Sequence, residues 1–172
     1  MPGPMAGEKG ASARPGHRVR FLCDAMLGGL AKWLRAAGYD TYYAREGTDV
    51  SDGSLTAKAL EEGRVLLTSD GGFLERKPVR DGRVGFLRVP HLPLEEQLRL
   101  VVGHFVLTRR QSRCMKCNGE LGVVPPATVT GRVPQGVILD HEKFFLCRGC
   151  GRVFWHGSHW DRIVGRLERV FG

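Results

Sequence analysis

Residues 65–72 read Val65-Leu66-Leu67-Thr68-Ser69-Asp70-Gly71-Gly72, with Gly63 just before them. A short apolar run bounded by glycine is the pattern of a strand buried on both faces, which in α/β proteins means the interior of a parallel sheet. Asp70 therefore belongs at the carboxyl edge of that sheet, where the loops leave a crevice for ligands. Two readings of Asp70 stand side by side: a functional acid, or an N-cap for a helical segment starting at Gly71.

Upstream, Arg18 to Cys23 forms a plausible first strand that ends on Asp24, much as the later strand ends on Asp70. Leu27, Leu30, Ala31, Leu34 and Ala37 recur at three- and four-residue steps, an apolar helix face that stops at Gly38. Lys32 and Arg35 fall off that face, toward solvent or substrate. Tyr39 to Ala44 alternates loosely as a second strand, and Ser51 or Asp52 can cap a helix ending at Glu61-Glu62-Gly63. Downstream, Phe73 to Lys77 reads as a short helix, Val84 to Val89 as a fourth strand, and Leu94 to Phe105 as a helix. Strands alternating with helices predict an α/β fold with a mostly parallel sheet and flanking helices.

A chain of 172 residues suffices for one ordinary domain with a small satellite, and 42% hydrophobic residues fit a globular protein. No run approaches the roughly 18 apolar residues of a membrane helix. Residues 1–17 lack the apolar core of a signal peptide and are expected to be a disordered tail, with a cytoplasmic location following by default. The net charge is +8, but residues 18–103 carry only +1 of it whereas residues 104–172 carry +6. An acidic partner, most commonly nucleic acid, is thus expected on the carboxy-terminal third.

At Thr108-Arg109-Arg110-Gln111-Ser112-Arg113 the chain turns basic and the periodicity stops. A domain boundary is placed there, giving an α/β domain over 18–107 and a small domain over 108–172. The second part holds Cys114-Met115-Lys116-Cys117 and Cys147-Arg148-Gly149-Cys150. Each CxxC lets two thiolates from one tight turn reach the same ion, so Cys114, Cys117, Cys147 and Cys150 predict a structural tetrahedral zinc site, a zinc ribbon. The 29 residues between the pairs require an inserted hairpin or loop. Residues 161–171 then have the spacing of an amphipathic terminal helix.

Asp24, Asp52 and Asp70 form the candidate catalytic and metal site. Asp24 and Asp70 end strands of one sheet, and Asp52 starts the helix that feeds the central strand. Packed carboxylates repel one another unless a cation offsets them, and Mg2+ or Mn2+ prefers such hard oxygen ligands. Phosphodiester hydrolysis suits that arrangement. The rival reading is three unrelated surface or capping aspartates.

Asp24, then Met26-Leu27-Gly28-Gly29-Leu30-Ala31-Lys32-Trp33-Leu34-Arg35-Ala36-Ala37-Gly38-Tyr39-Asp40, then Asp52 eighteen positions before Asp70, resembles the PIN-type ribonuclease superfamily. More narrowly, the chain is similar to the branch named for the carboxy-terminal domain of the Mut-seven exonucleases, which joins a PIN-like domain to a zinc ribbon. Cys147 to Trp155 and Gly157-Ser158-His159-Trp160 resemble that branch's ribbon and the motif after it. The resemblance runs from about 19 to 168 and implies a metal-dependent RNA-cleaving site at Asp24, Asp52 and Asp70. It also implies a fourth acid, for which Glu46 and Asp49 lie in the right interval.

Around the cysteines, Arg109, Arg110, Arg113, Lys116, Lys143, Arg148 and Arg152 sit among Phe154, Trp155 and Trp160. Cations neutralise phosphates and flat rings stack on unpaired bases, so single-stranded RNA is the expected partner, with Lys32 and Arg35 as further phosphate contacts. Packing beneath the ribbon and against the sheet domain is the expected role of Trp155 and Trp160, with base stacking as the alternative, and His156 and His159 are expected to be structural or phosphate contacts. Cys23 is expected to be a buried apolar residue. Three functional classes follow: a Mg2+- or Mn2+-dependent ribonuclease with a zinc ribbon, a non-catalytic RNA- or ribosome-binding ribbon protein, and a protein-interaction partner.

Overall fold

The computed structural model describes residues 18–172, so the tail expected at residues 1–17 lies outside the described residues. The strands in chain order are β1 (Phe21–Cys23), β2 (Thr41–Tyr43), β3 (Val65–Thr68), β4 (Phe86–Arg88), β5 (Leu121–Val124), β6 (Phe144–Cys147) and β7 (Val153–Phe154). The α-helices are α1 (Gly28–Ala36), α2 (Asp52–Glu62), α3 (Lys77–Arg80), α4 (Leu94–Phe105), α5 (Pro126–Val129), α6 (Gln135–Asp140) and α7 (Ser158–Phe171). They form two compact units that do not follow chain order. One contains residues 18–28 together with Tyr42–His91, and the other Gly29–Thr41 together with Leu92–Gly172. The composition break at 107/108 thus falls inside the second unit.

The first unit carries a four-stranded sheet in the order β2-β1-β3-β4, with β3 parallel to both β1 and β4. Phe21, Leu22, Cys23, Leu66, Leu67 and Thr68 are all fully buried, as the quoted stretch predicts for a central strand and its neighbour. Leu22 and Leu66 face a core built with Leu55, Ala59, Phe73, Val79 and Val84. Burying each such large apolar side chain contributes about 1.5–3 kcal/mol. Cys23 is the buried apolar residue its register requires. α2 starts where Ser51 caps it, its hydroxyl accepting the Ser54 N–H, and it ends on Gly63 in the left-handed conformation at φ +63°. Arg64 then ties the turn down, donating to the Phe21 carbonyl at 3.1 Å and pairing with Glu62.

In the second unit α4 packs against α7, and β5, β6 and β7 make an antiparallel three-stranded sheet. The long gap between the cysteine pairs is filled by β5, the short helices α5 and α6, and the start of β6. α7 begins three residues before the predicted Asp161, because the Asp161 N–H already bonds to the Gly157 carbonyl at 3.1 Å. β2 is shorter than the predicted 39–44: Tyr39 is held instead by its hydroxyl, which donates to the Thr108 carbonyl at 2.7 Å.

One expectation is corrected. Arg35, read as solvent-facing from its helical position, is 1% exposed. Its Nε donates to the Thr41 carbonyl at 2.9 Å and its Nη1 to the Met115 carbonyl at 3.1 Å. A guanidinium has five donors and no acceptor, so a pocket of backbone carbonyls satisfies it where apolar side chains would not. That position gives the guanidinium a role inside the fold.

Candidate functional site

Asp24 follows β1 directly, and its backbone extends the ladder by donating to the Leu67 carbonyl at 3.1 Å. The side chain is 5% exposed. Its Oδ1 accepts the Met26 N–H at 3.0 Å and its Oδ2 accepts the Thr68 hydroxyl. Thr68 is the last residue of β3, and its Oγ1 in turn accepts the Asp70 N–H at 3.0 Å. One hydroxyl therefore gathers the first acid and the backbone of the last into a single corner at the carboxyl edge. Asp70 itself is exposed and caps the 3-10 turn Gly71–Glu75, its Oδ1 accepting the Gly72 N–H at 2.9 Å. Its capping reading is thus realised in the structure.

Asp52 is the first residue of α2 and half-buried, and its carbonyl accepts the Thr56 hydroxyl at 2.7 Å. Among the described residues no hydrogen bond joins Asp52 to Asp24, Thr68 or Asp70. Asp49 is spent on a turn: its Oδ1 accepts the Ser51 N–H at 2.9 Å, and this bond with the Ser51 hydroxyl holds its carboxyl below the usual range. Glu46 ends the 3-10 turn Ala44–Glu46 and is exposed.

The four cysteines converge. Their Sγ atoms all lie within 4.8 Å of one another, with Cys114 3.8 Å from Cys150 and Cys117 3.4 Å from Cys147. Tetrahedral zinc–sulfur bonds of about 2.3 Å place sulfurs roughly 3.8 Å apart, so the quartet can hold a metal such as zinc. Both knuckles aim backbone N–H groups at sulfur, Gly119 at Cys117 (3.3 Å) and Cys150 at Cys147 (3.4 Å). The first knuckle turns through Asn118 at φ +71°, a conformation that asparagine tolerates better than most residues. Burial pushes the Cys114 thiol up to about 12 and raises that of Cys117. Burial acts on Cys147 too, but the Cys150 N–H, the Cys117 thiol, the Gly149 N–H and the Cys150 thiol outweigh it and bring it to about 7. A central cation would draw thiolates from all four.

The predicted basic residues separate. Arg109, Arg110 and Arg113 line one cavity of about 620 Å³ together with Phe145, Trp155, His156, His159 and Trp160. Lys32, Lys116, Arg148 and Arg152 are exposed and lie outside that lining.

With a sheet edge bearing Asp24 and Asp70 and a four-cysteine cluster in place, residues 19–167 match the model of the Mut7-C RNAse domain. The chain belongs to the Mut7-C RNAse domain family. It is 26% identical over 243 aligned residues to the human protein named exonuclease mut-7 homolog, covering 95% of this chain and 27% of that one. A shorter match, 34% identical over 79 residues, is to a cysteine–tRNA ligase of Ralstonia pickettii (strain 12J), covering 45% of this chain and 16% of the ligase. The chain thus spans about a quarter (27%) or less of these relatives. No described helix is long and apolar enough to cross a membrane.

In this Mut7-C chain the sequence reading missed three residues around the acids. Thr68 looked like the end of a strand, yet its hydroxyl connects the two edge acids. Arg88 pairs in register with Thr68, which puts it at the same edge, and its guanidinium lies beside Gly71, 3.7 Å from where a β-carbon would sit. Arg76 stands similarly beside Gly53, 3.8 Å from that position, next to Asp52. The strand register was the available signal for Arg88; nothing in local sequence marks Arg76.

Proposed function

We propose that this Mut7-C domain is a Mg2+- or Mn2+-dependent ribonuclease of PIN-like type that hydrolyses RNA phosphodiester bonds, with a structural zinc ribbon that holds single-stranded RNA. The observation that carries it is the Thr68 hydroxyl joining Asp24 to the Asp70 backbone, in a chain of an RNAse-domain family. Among the described residues only the cysteine quartet groups three or more metal-ligand side chains, so the acid site rests on Asp24, which offers carboxylate oxygens from a buried position with lone pairs beyond the bonds they already accept. Asp24 and Asp70 would hold the ion, and Asp52 would join them or orient the attacking water. Glu46 and Asp49 both remain candidates for the fourth acid. When bound, such an ion supplies Lewis-acid polarisation of the phosphodiester and a lowered pKa for water.

In this reading Thr68 keeps the Asp24 carboxylate in one orientation, and the guanidinium of Arg88 offers charge to a phosphate at the sheet edge. Lys32 is an exposed cation for the RNA backbone. The cysteine quartet closes on zinc with no open position, so its role is architectural. Reduced thiolates suit a cytoplasmic setting.

The non-catalytic reading, an RNA- or ribosome-binding ribbon protein, draws support from the local tasks the acids perform, Asp70 as a cap and Asp49 as a turn former. One experiment separates the two. Single-stranded RNA should be cut only with Mg2+ or Mn2+, and Asp70→Asn should abolish cleavage while circular dichroism stays unchanged. Equal cleavage by mutant and wild type, or RNA binding without cleavage across varied sequences, overturns the hydrolase.

A further inference from the structure

We infer that the cavity between the ribbon and the start of α7 is a capture site for one unpaired nucleotide, its base on the aromatic wall and its flanking phosphates on arginines. The inference rests on the ribbon–RNA part of the preceding proposal and adds what the ribbon recognises. The cavity, about 620 Å³, lies within the range of roughly 300–1,000 Å³ typical of ligand pockets. It is far larger than a packing defect, and it holds more than one base.

One wall is a stack of three rings. His156 lies 4.8 Å from Phe145 at 25° and 5.2 Å from Trp160 at 3°, so the imidazole is sandwiched while Phe145 and Trp160 end the stack. Neither end ring has another aromatic partner among the described residues. A planar base can extend such a stack at little cost, and every base has a face suited to it.

The charge on the lining has one sign. Arg109 and Arg110 contribute two cations, Arg113 adds a third that is shared with Glu120 at 3.9 Å and bonded through its Nε to the Asn118 carbonyl, and no aspartate or glutamate is among the described residues that line the cavity. The guanidinium carbon of Arg110 stands 5.0 Å over the Tyr39 ring, which holds the charged group in place on an exposed residue. Gly157, the N-cap of α7, lines the same space and makes no side-chain cap, so the first-turn N–H groups of a 14-residue helix add a partial positive charge that Asp161 of the same turn partly offsets. Cations alone would fit an acidic peptide. The ring stack beside them favours a ligand that is both flat and anionic, which a nucleotide is.

The test uses the full chain loaded with zinc and carrying Asp70→Asn, so that binding is read apart from cleavage. A fluorescein-labelled 12-nucleotide single-stranded RNA is titrated against an otherwise identical oligonucleotide with its bases removed. Base-containing RNA should bind about tenfold more tightly, and Trp160→Ala should erase that difference while Trp160→Phe keeps it. Arg109→Gln should weaken both ligands equally and lower the salt dependence. Zinc content and circular dichroism report whether Trp160→Ala folds, and the wild-type comparison stands without it. Equal binding of the two oligonucleotides, or competition by polyglutamate at the same affinity, overturns the proposal. If RNA is captured as described but never cut by the wild-type chain, the nuclease reading fails and this one stands.

Discussion

The hydroxyl of Thr68 donates to the Oδ2 of Asp24 across the β1–β3 pairing, and the same Oγ1 accepts the backbone N–H of Asp70 at 3.0 Å. A side chain one residue past the register pair Cys23↔Leu67 thereby sets the orientation of a carboxylate from the neighbouring strand. Parallel pairing makes this possible, because both strands reach the same edge travelling the same way.

Thr68→Val keeps the shape of that side chain and removes its oxygen, leaving Asp24 Oδ2 and the Asp70 N–H short of a partner. A buried acceptor stripped of its donor costs about 1–3 kcal/mol, which a lowered urea midpoint would register. Cleavage should fall by about 100-fold if the carboxylate drifts by an ångström. Thr68→Ser, which retains the hydroxyl, should recover most of both. Wild-type stability and turnover in Thr68→Val would show that the hydroxyl positions nothing.

Glu62 closes α2 under two opposed influences. Burial pushes its carboxyl up, but hydrogen bonds from Lys58 (2.7 Å) and Arg64 outweigh it and leave the carboxyl below its ordinary value of 4.5. A depressed carboxylate contributes stability that is present above its ordinary value and lost as pH falls through the folded one. Unfolding measured in urea from pH 7 to pH 3 should therefore show a loss below about 4.5 that Glu62→Gln lacks. Parallel pH curves for the two proteins would remove Glu62 from the account of acid sensitivity.

Most of the fold was legible because its signals are local and periodic. The apolar run at 65–67 and the Asp70-Gly71 break announced a central strand, and both helix α4 and the start of α2 emerged at the predicted residues. The cysteine quartet was legible for a different reason, since two CxxC turns have few other uses in a chain of this kind. What periodicity hides is a polar residue on a buried face. Arg35 sits at a helix position that reads as solvent-facing, and only its distant carbonyl partners Met115 and Lys116 explain its burial. Likewise the cavity at Trp160 is built from residues spread over 109–163, a proximity that spacing along the chain does not encode.

Arg35→Met tests that burial. The guanidinium donates to the carbonyls of Thr41, Met115 and Lys116, so removing it strands several acceptors whose replacement partners are not at hand. Hydrogen bonds involving a charged group contribute about 1.5–3 kcal/mol each, and a loss of roughly 2–4 kcal/mol in chemical denaturation is expected after relaxation. The affinity of the folded fraction for RNA should not change. A stable Arg35→Met protein with weakened RNA binding would restore the phosphate-contact role assigned from sequence.

Gly119 is the position where the cysteine cluster leaves no room. A β-carbon there would stand 2.6 Å from the Cys147 sulfur and 3.1 Å from both the Cys117 sulfur and the Gly149 nitrogen. Two of those contacts are sulfurs of the cysteine quartet and the third is backbone, so none can swing aside as a flexible side chain would. Gly119→Ala must spread the sulfurs, and a tetrahedral ion tolerates little spreading. Zinc affinity read by competition with a chromophoric chelator should fall at least about tenfold, on the scale of losses seen when the groups around a metal site are disturbed. Gly165→Ala serves as the opposite case: it lies in α7 with nothing within 4 Å of the added carbon. There the lower backbone entropy of alanine should raise stability by about 0.5–1 kcal/mol and leave zinc binding alone. If Gly119→Ala holds zinc as firmly as Gly165→Ala, the cysteines are not organised around an ion at the spacing their sulfurs show.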